Sequence, residues 1–382
     1  MVNLLPLKTG GGVQVALDFL RQAAMYGVNH EWFIVVRKDS QFLNVELSDN
    51  MQIVYSVPDN LLARLYFEYF GCKSLIQQYE VDAVYTQFGP HWPGSGVLNI
   101  AGCAYSNLFY PELDFWGKLP IFKKLLKKII DSQRLKRILS ADVRIFETED
   151  LAQRAIGQYG LDPDTVTFVR AAVSSLVSEE MVHESTAEKC ENLPAGYKIL
   201  LLSGYHPNKN IEFLVDVAEV LKEQKVDNIR FVLTLPEDIP STRNLLHRAG
   251  QLGVASYIYN FGPVPQEGCC ELYRSCDAAV LPSTLESFSN MIAESWAMKR
   301  PLMISDLSWC RSLCGDGALY YKYLDAYSMA EVIKKLMVDV SVKQFTIEQG
   351  DKELQKYPTS RDRFLSYLAI IEKSVRAKQV SV

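Results

Sequence analysis

Residues 277–317 read DAAVLPSTLESFSNMIAESWAMKRPLMISDLSWCRSLCGDG. The apolar run Ala278–Leu281 has the length of one buried strand. Pro282, Ser283 and Thr284 turn the chain, and the polar Ser287–Asn290 is the kind of sequence that caps a helix. Met291–Met298 follows as that helix, then a second apolar run, Leu302–Ile304. Strand, loop, helix and strand in this order predict a parallel sheet whose loop lies at the carboxyl edge, where doubly wound proteins hold ligands. The leading amides over 288–290 point out of the helix start and suit a phosphate. Glu286 stands just before the helix, and Glu294, eight positions on, falls within its first two turns. Two readings fit these carboxylates. They are a solvated loop acid and a first-turn charge set against the helix dipole, or they reach opposite ends of one elongated ligand.

The same strand–turn–helix layout recurs outward from this stretch. Tyr197–Leu202 predicts a strand, Ser203–Asn210 a turn containing Gly204, Pro207 and Lys209, and Ile211–Leu221 a helix. An ammonium at Lys209 could neutralise a diphosphate, although a lone lysine in such a turn usually faces solvent. Phe231–Leu235 and Tyr257–Phe261 are further strands, the second leading into Gly262-Pro263-Val264. At the beginning of the chain, Val2–Leu5 predicts a short strand, Thr9-Gly10-Gly11-Gly12 a glycine loop, and Val13–Met25 a helix. Such a junction lets backbone approach a phosphate closely, though a glycine triplet is as often a plain turn. Strands follow at Trp32–Val36, Met51–Val57, Ala83–Thr86, Val97–Cys103, Val143–Phe146 and Val166–Val169, with a helix at Leu61–Tyr79. His91 comes after the strand ending at Thr86, and Asn107 and Tyr110 after the next. All three are placed at the ligand edge, against the alternative of local backbone capping. Alternation of strands and helices predicts an α/β fold with two doubly wound sheets. The polar segment 172–196 reads as a linker. The expected domains are 1–172 and 173–363, with a last helix, 364–382, crossing back to the first.

A chain of 382 residues can bury two cores, and 48% hydrophobic and 22% charged residues are ordinary for a globular protein. Net charge of −5 argues against a nucleic-acid binder. The eight cysteines follow no zinc-ligand spacing, so reduced thiols in a cytosol and no metal are expected. No apolar run approaches the length of a membrane span. Against this background residues 118–137, KLPIFKKLLKKIIDSQRLKR, stand apart. Ile121, Phe122, Leu125, Leu126, Ile129 and Ile130 recur at helical spacing. Lys123, Lys124, Lys127, Lys128, Arg134, Lys136 and Arg137 fill the remainder. The expectation is a helix with its apolar stripe in the core and its lysine face on an anionic membrane surface. No aromatic platform is interleaved as nucleic-acid binding would need.

The Glu-x7-Glu unit between an apolar strand and "Pro-x-x-x-Ser-Asp" resembles the nucleotide-sugar site of the family 4 retaining glycosyltransferases. The resemblance extends to the glycine loop and to Lys209. It implies the GT-B fold, two Rossmann-like domains facing a cleft, with the donor on the second and the acceptor on the first. It implies a nucleoside-diphosphate sugar held by Gly11, Gly12, Gly204, Lys209, Val264, Glu286, Phe288, Ser289, Asn290 and Glu294. Glu286 would meet the sugar and Glu294 the ribose hydroxyls. Glu286, Lys209 and His91 form the implied catalytic set, with Asn107 and Tyr110 on the acceptor side. No metal or cofactor is implied beyond the sugar nucleotide itself. Tyr205 stands where the family commonly has an arginine, and Lys299-Arg300 where it usually has a helix-ending glycine. A growing bacterial surface glycan on a lipid carrier would be the acceptor, reached from the inner face of the plasma membrane. An epimerase or a non-catalytic sugar-nucleotide binder on the same fold are the alternatives.

Overall fold

The computed structural model describes residues 1–8, 10–173 and 177–380. Thr9 of the glycine loop, residues 174–176 of the expected linker and the last two positions of the expected returning helix lie outside them. The chain divides into two compact units, Met1–Ala172 with Pro358–Val382, and Val173–Tyr357.

The first unit is built on a seven-stranded sheet. Its strands are β1 (Val2–Asn3), β2 (Trp32–Arg37), β3 (Met51–Val57), β4 (Ala83–Thr86), β5 (Leu98–Cys103), β6 (Val143–Phe146) and β7 (Val166–Phe168). They run in the order β3-β2-β1-β4-β5-β6-β7, and every pairing is parallel. The order reverses between β1 and β4, which opens a crevice beyond their carboxyl ends. β4 and β5 are buried throughout, as strands covered on both faces must be, and so read as apolar runs without alternation.

The helices of this unit are α1 (Gly11–Tyr26), α2 (Leu61–Tyr66), α3 (Cys72–Gln78), α4 (Ile121–Leu139) and α5 (Glu149–Tyr159). The expected single helix over 61–79 is divided by one π-helical turn, Phe67–Gly71. That turn carries Glu68, 1% exposed, which pairs with Arg64 at 2.7 Å and with Arg137 of α4 at 2.8 Å. Glu68→Ala would leave two partly buried guanidinium groups without their shared carboxylate, a loss of about 3 kcal/mol. A thermal melt of the variant should show it, and an unchanged melting temperature would deny the pair a structural role.

α4 overturns one expectation. Its apolar residues Ile121, Phe122, Leu125, Leu126 and Ile129 are exposed rather than part of the core. The side turned to the body carries Asp131 and Ile138. Helical periodicity identifies which residues share a face, but the polar partners waiting in the body decide which face turns inward.

The second unit carries a six-stranded sheet in the order β10-β9-β8-β11-β12-β13. The strands are β8 (Tyr197–Leu201), β9 (Ile229–Leu233), β10 (Ile258–Asn260), β11 (Ala278–Leu281), β12 (Leu302–Ser305) and β13 (Leu319–Tyr321). They too pair only in parallel, and the order reverses between β8 and β11. Its helices are α6 (Glu184–Cys190), α7 (Phe213–Glu223), α8 (Pro240–Gln251), α9 (Cys269–Ser275), α10 (Asn290–Ala297), α11 (Ser308–Cys314), α12 (Ala326–Val338) and α13 (Val340–Leu354). The segment read as a linker thus contains α6, anchored where Lys189 donates to the Phe261 carbonyl at 2.6 Å. Lys299, at the end of α10, takes φ 52°, the left-handed conformation that a glycine would adopt without cost.

The last helix, α14 (Ser360–Val380), belongs to the first unit. Phe364 packs edge-on to Phe19 at 5.2 Å and Tyr367 lies 5.5 Å from Tyr85. Arg363 pairs with Asp18 at 2.9 Å. All eight cysteines are free thiols. No helix among the described residues is long and apolar enough to cross a membrane.

Candidate functional site

The loops that follow β8 and β11 meet at the strand-order reversal of the second sheet. Residues 207–209 form a single 3-10 turn closed by Asn210, which sits at φ 50°. Asparagine tolerates this left-handed backbone better than other residues with a Cβ. Asn210 Nδ2 donates to the Pro282 carbonyl at 2.8 Å and to Thr284 Oγ1 at 3.0 Å. Asn208 Nδ2 donates to the Leu285 carbonyl at 2.9 Å, and its own backbone carbonyl accepts from the Thr284 amide at 2.7 Å. Two segments more than seventy residues apart are thereby fastened together. The result is an ion pair, Lys209 Nζ to Glu286 Oε1, at 2.7 Å. With side-chain exposures of 19% and 13%, both groups are largely withdrawn from water and still reachable. Asn208 also approaches Glu286 Oε1, at 3.4 Å.

Beyond Glu286 the loop runs through Ser287 and Phe288, whose ring lies 5.7 Å from that of Tyr357. Ser289 is the N-cap of α10, but its side chain makes no capping hydrogen bond, and the first turn holds no acid. The leading N–H groups, Asn290 among them, therefore carry the positive end of the helix dipole without a side-chain counter-charge. Glu294 follows on the same helix, about 6 Å along its axis from Asn290. It is buried, and Tyr273, itself fully buried on α9, donates its hydroxyl to Glu294 Oε2 at 3.1 Å. Burial raises the Glu294 carboxyl from its ordinary 4.5 to about 7, with the Tyr273 hydrogen bond pulling the other way.

Gly204 lies exposed at the start of the loop after β8, with open space around it. Tyr205, at the position read as an arginine substitute, donates its hydroxyl to Glu212. Val264 follows β10 at the same carboxyl edge, two strands out from β8, behind Gly262 at φ 85°. Asn210 Oδ1 and Ser283 Oγ are buried without a hydrogen-bond partner among the described residues.

In the first unit the expected residues part company. Gly11 and Gly12 are not a loop but the first two residues of α1, and the turn is made by Gly10 at φ 81°. Among the described residues no side chain caps that helix, and its first turn carries no acid. A Cβ on Gly12 would stand 3.1 Å from Leu7. His91 is buried, its Nε2 engaged with Ser140 Oγ at 2.9 Å and its Nδ1 enclosed without a partner among the described residues. Desolvation pushes its pKa below the usual histidine value. Tyr110 is buried as well, its hydroxyl donated to Asp150 and its ring under Arg154 at 3.9 Å. Asn107 donates to Asp131 at 2.8 Å on the wall of a cavity of about 560 Å³ shared with Trp116, Lys124 and Lys128. Of the two residues placed on the acceptor side, Asn107 faces such a space and Tyr110 does not.

Sequence reasoning did not reach Asn208, Asn210 or Tyr273. The two asparagines had a signal in the turn sequence Pro-Asn-Lys-Asn; Tyr273, on the short helix α9, had none. Among the described residues no group of three or more His, Cys, Asp or Glu side chains could hold a metal ion.

Residues 196–339 match the family model described as glycosyl transferases group 1. A D-inositol 3-phosphate glycosyltransferase from Catenulispora acidiphila is 28% identical over 185 residues, 47% of this chain and 43% of that one. The match therefore spans less than half the length of this curated relative. Among solved structures, a glycosyltransferase from Rickettsia africae superposes with a TM-score of 0.73 at 15% identity, covering 98% of this chain and 97% of that one. HepE from Anabaena, solved in complex with UDP and glucose, gives 0.70 at 13% identity, covering 97% and 98%. These likenesses show the fold, that of the GT-B glycosyltransferases, in which each unit is a Rossmann-like α/β sheet.

Proposed function

We propose that the chain is a retaining glycosyltransferase of family 4 type that takes its sugar from a nucleoside-diphosphate donor. The observation that carries this reading is the ion pair between Lys209 and Glu286 at the strand-order reversal, beside the uncapped start of α10. Breaking the bond between the anomeric carbon and the diphosphate oxygen leaves negative charge on the diphosphate and positive charge on the sugar ring. Lys209 and the amides over 288–290 stabilise the departing diphosphate. Glu286, released from Lys209 when phosphate takes its place, accepts hydrogen bonds from the sugar hydroxyls. Glu294 accepts from the ribose. Val264 and Gly204 line the nucleotide. No step in this scheme calls for a metal or cofactor.

The acceptor in this reading is a glycan on a lipid carrier, as in bacterial surface polysaccharide synthesis, and the partner surface is an anionic membrane at residues 118–137. The name of the Catenulispora relative makes a soluble inositol phosphate the acceptor to run in parallel. A thermal-shift screen against UDP-, GDP-, ADP- and dTDP-sugars should raise the melting temperature with donors of one base. Adding the matching acceptor should then release the nucleoside diphosphate and increase the acceptor mass by one sugar. A panel without any shift contradicts the reading, and conversion of the donor sugar with no acceptor product would make the chain an epimerase instead.

A further inference from the structure

On α4, at about 100° per residue, Ile121, Phe122, Leu125, Leu126 and Ile129 share an arc of about 140°. All five are exposed, at 80%, 68%, 58%, 57% and 62%. The opposite face is the charged one, and the body holds it. Asp131 accepts from Asn107 at 2.8 Å and from Trp116 at 2.7 Å. Lys124 pairs with Asp114 at 2.7 Å, and Lys127 sits 4.6 Å over the Trp116 ring. Arg134 lies 4.6 Å over Tyr105, and Arg137 reaches the buried Glu68 at 2.8 Å. A helix on a globular domain normally turns its apolar stripe inward. Here the polarity is reversed and the inward contacts are specific, so the apolar arc has no route back to the core.

We propose that α4 seats the protein on an anionic lipid surface by inserting this apolar arc, with Lys123 and Lys128 on its two rims lying at the headgroups. The inference deepens the lipid partner of the reading above and is tested on lipid binding alone. Charge selects the occupant. Of the seven Lys or Arg in residues 121–139, Lys124, Arg134 and Arg137 are paired with Asp114, Asp131 and Glu68, while Lys123, Lys128 and Lys136 are exposed and in no ion pair among the described residues, on a chain of net charge −5. A second copy would bring the same positive charge against this face, whereas an anionic bilayer compensates it and takes up the apolar side chains. Among the described residues neither Lys123 nor Lys128 is in an ion pair, and Lys123 is exposed beside Phe122.

The test is flotation of the full chain with vesicles of phosphatidylcholine, with and without phosphatidylglycerol. Phe122→Trp adds a fluorescent reporter within the arc. The wild type should float with phosphatidylglycerol vesicles, and the indole of the Phe122→Trp variant should shift its emission to the blue on binding and be quenched by brominated acyl chains. Changing Phe122, Leu125, Leu126 and Ile129 to Gln should weaken binding about tenfold or more at low and high salt. Lys123→Glu with Lys128→Glu should weaken it mainly at low salt. Because all of these apolar side chains are exposed, unchanged melting temperatures are expected. A wild type that does not float, an apolar variant that floats like the wild type, or an emission that stays unshifted in bound protein would overturn the proposal. So would a wild-type dimer that the apolar variant dissociates, without vesicle binding. Donor-induced thermal shifts are read separately, so failure of the sugar-nucleotide reading is distinguishable from failure of this one.

Discussion

Lys209→Met should lower the rate of sugar transfer about 10²- to 10³-fold, the usual cost of removing one preorganised charge from a departing anion. Lys209 is held 2.7 Å from Glu286 before any donor arrives, so its position is set in advance. The variant has a second consequence that must be separated from the first. It leaves Glu286, with a side chain only 13% exposed, without its cation. A modest fall in stability is therefore expected. The double variant Lys209→Met with Glu286→Gln removes that unpaired charge and should recover the melting temperature. Activity should not recover with it. If both return together, the pair is a structural bridge between two loops, and the transferred charge is stabilised elsewhere.

Glu294→Gln should make the protein more stable at pH 8 and a poorer donor binder. Burial raises this carboxyl from 4.5 to about 7, so between those values the folded chain keeps a proton that the unfolded chain has lost. Stability at this position therefore falls as pH rises from about 4.5 to 7 and is level above. Glutamine retains an acceptor for the Tyr273 hydroxyl and has no charge to desolvate. The gain at pH 8 is on the order of 3 kcal/mol at most; it shrinks to about 1 kcal/mol at pH 5 and vanishes below about pH 4. Donor binding runs the other way. Two ribose hydroxyls that both donate need the ionised carboxylate, so wild-type affinity should fall as pH drops below about 7, by up to tenfold per unit. The glutamine variant should bind about tenfold or more weakly at pH 8, without that slope. A wild-type affinity indifferent to pH between about 6 and 8 would remove Glu294 from the donor site.

The placement of the residues proposed for the donor was legible in the sequence because they are local. Glu286, the amides over 288–290 and Glu294 sit on one strand–loop–helix unit whose spacing fixes their order, and Lys209 sits on a second unit of the same type. What the sequence did not disclose depends on contacts across the chain. Asn208 and Asn210 join the two loops over more than seventy residues, and Tyr273 reaches Glu294 from another helix. Loop residues have no periodicity to reveal burial, so the sequence puts His91 and Tyr110 at the ligand edge, while both are buried and His91 Nε2 and the Tyr110 hydroxyl are engaged within the fold. The glycine loop was found, but the strained backbone is at Gly10, and Gly11 and Gly12 open the helix. On α4 the stripe was read correctly and its direction was reversed, because the Asp131 contacts and Glu68 draw the basic side inward.

Lys209, Glu286 and Glu294 are held to serve one sugar nucleotide on the second unit. Calorimetric titration of the full chain with the donor identified by the thermal-shift screen tests this most directly, with the free nucleoside diphosphate as comparison. One site is expected, with tighter binding of the sugar nucleotide than of the diphosphate, and weakening by Lys209→Met for both ligands. Glu294→Gln should likewise weaken both, and Glu286→Gln should weaken the sugar nucleotide alone. A donor bound with undiminished affinity by all three variants would contradict the assignment.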